Sequence, residues 1–157
     1  FGNASNNVDW LTASGNLLFF RNNKRLWKSN GFSDGTVQVA QINSSNTGCN
    51  PAWLTSVNDV LLFAADDGVN GQELWRSDGT ESGTFLVKDI YTSAEGSWPE
   101  NLTNVIDIVP GFTSYGTLFF TAGTYAQGRE LWKSDGTEAW TALVKDINPS
   151  GGHFRKI

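Results

Sequence analysis

Few side chains in this sequence are of the kinds that do chemistry, and their spacing limits what they could do. One histidine, His153, and one cysteine, Cys49, leave no ligand set for a zinc site of the usual type. The turn Asp66-Asp67-Gly68-Val69-Asn70-Gly71 offers several oxygen atoms of the kind calcium prefers. Its spacing is not that of an EF-hand, and the corresponding stretch 123–128 has no acid. Asp66, Asp67 and Asn70 are therefore the calcium candidates, with a hairpin turn as the plainer alternative, because Asx residues and glycine favour turns. Glu73 and Glu130 each precede a cation by three residues, Arg76 and Lys133, and could pair with it or with a neighbouring unit. No two acids stand out as a glycosidase pair, and no residue is assigned a catalytic role. No other cofactor is expected.

The aromatic residues are more informative. Seven tryptophans invite a carbohydrate reading, in which rings stack on sugar faces. Trp27, Trp75 and Trp132 occupy corresponding positions and are expected in the core. Trp98 and Trp140 do not recur, and they are the candidates for binding a glycan or a protein partner, since aromatic side chains are enriched at interfaces. Asn3, Asn43 and Asn101 each open an Asn-x-Ser/Thr acceptor pattern for N-glycosylation. Cys49 has no partner within the chain, so it is either a tolerated small residue or half of an intermolecular disulfide.

These residues are carried on an array. The segment Glu73 to Ile90 recurs as Glu130 to Ile147 with fourteen of eighteen positions identical, and a worn copy runs from Arg25 to Ile42. Each unit opens with a Leu-Thr pair at 11–12, 54–55 and 102–103, followed by a Leu/Phe run, the Leu-Trp segment and a Val-rich run. The units span 1–50, 51–98 and 99–147, and 148–157 is the start of a diverged unit or a tail. Length differences gather in the hairpins after each Leu/Phe run and in an insertion near 106–114, as expected of surface loops. Trp98 and Trp140 lie where the units disagree.

Each unit reads as four strands. The Asp-Gly turn at 78–79 separates the third strand from the fourth, and Pro51 and Pro99 mark the boundaries between units. Leu74 and Trp75 are neighbours in one strand, so they point to opposite faces, and each sheet is apolar on both. Stacked four-stranded sheets supply the cover that both faces need. The fold expected is all-β, a β-propeller-like array of three four-stranded antiparallel blades, with a β-solenoid-like stack as the alternative.

The runs Glu73-Leu-Trp-Arg-Ser-Asp-Gly-Thr80 and Glu130-Leu-Trp-Lys-Ser-Asp-Gly-Thr137 resemble the ELWxxDGT repeat family. The resemblance extends through Leu-Val-Lys-Asp-Ile and, with the worn copy, covers most of the chain. Asn30-Gly31-Phe32 and Trp140 depart from it, and Lys156 stands where the pattern has a proline. The resemblance implies repeats of large extracellular or cell-surface proteins with propeller-like β-structure, and it implies no reaction.

The totals fit that class. With 39% apolar and 17% charged residues and 17 glycines, the composition is that of a turn-rich globular chain. A net charge of −5 without a basic stripe argues against nucleic acid, and no apolar run reaches the roughly 20 residues of a membrane span. The chain begins at Phe1 and has no methionine, so a processed product or a fragment is expected. Three units fall short of the four to eight typical of closed propellers, so the expected partners are other copies of the chain or further repeats of a longer one. The function expected is a non-enzymatic structural or adhesive module, possible as a larger propeller or a filament. The alternative is a carbohydrate-binding module.

Overall fold

The computed structural model describes residues 7–45, 47–107, 115–125, 127–147 and 149, and among these the chain is all β. Twelve strands form three separate four-stranded sheets. The first holds β1 (Val8–Ser14), β2 (Leu17–Asn22), β3 (Arg25–Ser29) and β4 (Val37–Gln38). The second holds β5 (Ala52–Val57), β6 (Val60–Asp66), β7 (Gln72–Ser77) and β8 (Phe85–Lys88). The third holds β9 (Glu100–Asp107), β10 (Tyr115–Thr124), β11 (Gly128–Ser134) and β12 (Ala142–Lys145). Within each sheet, strands pair in chain order and every ladder is antiparallel, unlike the parallel coils of a solenoid.

Local chemistry accounts for the meander. The two-residue connections Asn23-Lys24 and Asn58-Asp59 have φ of 50° and 63°, and 52° and 62°. Positive φ at both central residues matches the twist of paired strands, and Asn and Asp tolerate it better than most residues. The longer connection after each Leu-Trp strand is held by side chains. Ser77 Oγ lies 2.7 Å from Thr84 Oγ1 and accepts from Gly79 N (3.0 Å), while Asp78 Oδ1 accepts from Thr80 N (2.8 Å). Ser134, Thr141, Gly136, Asp135 and Thr137 repeat this set, and Ser29, Thr36, Gly31 and Asn30 repeat most of it. The Asp-Gly-Thr signature is thus a turn device, and the Thr80 hydroxyl and amide hold the Asp78 carboxyl below its ordinary range.

Packing follows the two-faced strands. Phe19, Leu26 and Val39 of the first sheet meet Leu54, Leu61, Phe63 and Trp75 of the second. Leu62, Leu74 and Val87, from the opposite face of the second sheet, meet Leu102, Leu118, Phe120 and Trp132 of the third. Leu74 and Trp75 therefore enter different cores. Polar links repeat alongside: Thr12 Oγ1 donates to Leu54 O (3.0 Å) and Thr55 Oγ1 to Leu102 O (3.2 Å). Lys28 Nζ donates to Gly79 O (2.7 Å) and Arg76 Nη1 to Gly136 O (3.3 Å). Trp75 and Trp132 are buried, whereas Trp27 is half-buried, because no described residues cover its face of the first sheet.

Two elements differ from expectation. The fourth strand is shorter than the Val-rich run suggests, two residues in the first sheet and four in each of the others. The third sheet's hairpin is tighter than its sequence suggests, because β10 and β11 stay paired to Thr124 and Gly128.

Candidate functional site

Glu73 shows what a recurring carboxylate does here. The side chain has no exposed surface. Its Oε1 accepts from Tyr91 N (3.1 Å) and Ser97 N (2.7 Å), and its Oε2 accepts from Ile90 N (3.2 Å) and Ser97 Oγ. It therefore anchors the crossing from the second sheet to the third and does not pair with Arg76. Arg76 instead reaches Gly136 O and lies 5.1 Å over the Phe85 ring. Burial pushes the Glu73 carboxyl up to about 7, against the four donors that lower it. Glu130 takes the same role toward Ile147 N (2.9 Å). The first unit has Arg25 at this position and Cys49 in place of Ser97, so the anchor and its hydroxyl partner change together.

The other polar candidates make local contacts. Asp67 Oδ1 accepts from Val69 N and Asn70 N (both 2.8 Å), its Oδ2 accepts from Asn70 Nδ2 (2.8 Å), and Asp66 Oδ1 accepts from Gly68 N (2.7 Å). This geometry fixes the hairpin, and among the described residues no three His, Cys, Asp or Glu converge on one point. Cys49 is buried, and burial pushes its thiol up to about 11. Asn43 is 6% exposed, and its Nδ2 donates to Asp66 O (3.4 Å). Asn101 is exposed on β9. Asn3, His153 and most of the 106–114 insertion lie outside the described residues. Gly31-Phe32-Ser33-Asp34-Gly35 has the G-x-S-x-G spelling of a nucleophile elbow. It forms the β3–β4 turn, with no helix after it.

Trp98 and Trp140 do not form one site. Trp140 is 66% exposed in the β11–β12 turn. Trp98 lies beside the opposite end of β11, where Arg129 Nη1 and Nη2 donate to Trp98 O (both 2.9 Å). Strand rise from Arg129 to Ser134 alone separates the two by roughly 17 Å. Trp98 N also donates to Gln72 O (3.0 Å), so its backbone is held on both sides. Two adjoining depressions, of about 430 and 330 Å3, share Trp98, Asn50 and Gln72. Trp53 and Glu100 line the smaller one. Glu100 is engaged by Arg129 (3.0 Å), and Arg21, at the same edge, by Asp9.

Backbone geometry singles out the tryptophans of this edge. Trp10, Trp53 and Trp98 have φ of 55°, 57° and 53°. Bulky side chains rarely accept this region, at a cost of order 1–3 kcal/mol each. Trp10 and Trp53 occupy a recurring bulge of the first strand of each sheet, where ladder register shifts. Asn101, with φ of 57°, fills that position in the third sheet, and Asn50, with φ of 45°, corresponds to Trp98. The Trp10 and Trp53 rings lie 5.4 Å apart, tilted by 55°, a contact worth about 0.5–1.5 kcal/mol. No family model matches this chain, and no curated protein or solved structure matches it.

Proposed function

We propose that the chain is a non-enzymatic, extracellular or cell-surface repeat module that acts through protein–protein contact, its three sheets being blades of a propeller-like array. Its partner is a further blade of the same kind, supplied by a second copy of the chain in head-to-tail order. One observation carries this reading: corresponding residues differ in exposure according to whether a sheet lies against them. Leu11 is 60% exposed where Leu54 is 7% and Leu102 is 8%, and Val144 is 43% exposed where Val39 is 7% and Val87 is 4%. Gly79 and Gly136 pack against leucine of the preceding sheet, whereas Gly31, at the same φ, has no described residue within 4 Å of the same position. Uncovered apolar faces of this kind favour association. The ELWxxDGT resemblance and the exposed acceptor Asn101 support the extracellular assignment.

Size-exclusion chromatography with light scattering tests the reading over about 1 to 100 μM, where micromolar association becomes visible. Mass rising with concentration is the expected result. A single monomer mass across the range would overturn it.

A further inference from the structure

We propose that the groove between Trp53 and Trp98 is a binding site for neutral saccharides, with Trp98 as its stacking platform and Asn50 and Gln72 as its hydroxyl-reading groups. This goes beyond association between blades and uses a different surface. Three tryptophans at one edge adopt a backbone conformation that asparagine takes more readily. The repeat itself shows asparagine doing so, at Asn50 and Asn101. Folding therefore does not require rings at these positions. A conformation disfavoured for a bulky side chain, kept where a better-suited residue is demonstrably compatible, is the kind of outlier that marks function.

The groove's chemistry selects the ligand class. Its combined depressions fall in the range of about 300–1,000 Å3 usual for small-molecule sites. Of the charged side chains that line it, Arg21 is paired with Asp9 and Glu100 with Arg129, and the carboxylates of Asp66, which accepts from Gly68 N, and Glu95 add oxygens that can accept from sugar hydroxyls. The Asn50 and Gln72 side chains make no hydrogen bond to the described residues, and each offers both a donor and an acceptor. An aromatic face beside neutral amides suits a pyranose ring, which has an apolar C–H face and hydroxyls around its edge. Trp98 is also pre-positioned, since Gln72 O and Arg129 hold its backbone from both sides.

The test uses the full chain and four neutral probes: cellohexaose, chitohexaose, mannohexaose and laminarihexaose. Polygalacturonate and a lysine-rich peptide serve as anionic and cationic controls. Binding is followed by calorimetry and tryptophan fluorescence. At least one neutral probe binds with a Kd of about 1 mM or tighter, and Trp98→Asn weakens it by about tenfold or more. The Trp98→Asn variant adopts the residue of the first unit, so its backbone is suited to the site, and an unchanged circular dichroism spectrum verifies its fold. Trp140→Gly, the residue of the other two units, leaves binding intact. Absence of binding by all four neutral probes, tighter binding of either charged control, or unaltered affinity in Trp98→Asn would each overturn the proposal.

Discussion

Glu73 is the residue whose loss should be felt most. Removing it leaves four buried donors without an acceptor, and Glu73→Ala is expected to destabilise the fold by about 3–5 kcal/mol, as breaking a buried charged network does. Its titration adds a pH signature. Below pH 4.5 the carboxyl is protonated in both the folded and the unfolded chain. As pH rises, the unfolded chain releases the proton first and the folded chain keeps it until about 7. The folded state binds more protons in that window, so this group's contribution to stability falls as pH rises and is level above it. The loss is of order 3 kcal/mol. Urea unfolding of the wild type and Glu73→Gln across this range isolates the term, and a pH-independent difference would refute it. Cys49 makes a simpler case. Its buried, poorly ionised thiol should react with a disulfide reagent at pH 8 only as fast as the chain opens. Labelling at the rate of a free thiol would favour the disulfide reading.

At the scale of elements, the β7–β8 connection separates turn strain from packing between sheets. Gly79 and Gly31 share φ near 90°, but a Cβ on Gly79 would come within 2.7 Å of Leu17 Cδ1, whereas one on Gly31 meets no described residue. Gly31→Ala should cost about 1–2 kcal/mol, the backbone term alone, and Gly79→Ala measurably more. Equal costs from chemical denaturation at low protein concentration would show that the close approach carries no weight. Much of this level was legible in the sequence. The adjacency of Leu74 and Trp75 required two apolar faces, and Asp-Gly located the turns. The bulge was not legible: Trp10, Trp53 and Asn101 share a position, and their common feature is a backbone angle. Asparagine standing for tryptophan was the available signal, because asparagine tolerates positive φ. The Glu73 anchor was hidden too, since three of its four donors are main-chain amides, which every sequence contains. The groove joins residues from both sides of a unit boundary, which no local pattern reports.

At the scale of the molecule, the inter-sheet contacts define the surface that a second copy would meet. The first sheet presents Leu18, 37% exposed where its counterparts Leu61 and Leu118 are fully buried. The third presents Lys133, which corresponds to the Lys28 and Arg76 that reach glycine carbonyls of the next sheet. In a head-to-tail contact Lys133 would meet Gly31 O of the next copy, and Leu18 would be buried. A carboxylate at this position would be buried without a partner in the contact, at a cost of at least about 2 kcal/mol, so Leu18→Asp should weaken association by well over tenfold. Lys133→Glu should weaken it less, and more so at low salt, because an exposed cation contributes modestly and is screened. Both substitutions lie on faces exposed in the single chain, so monomer stability should change little. Sedimentation velocity on the two variants separates this geometry from nonspecific aggregation. If the wild type associates and Leu18→Asp associates equally well, the contact lies elsewhere and the head-to-tail order is wrong.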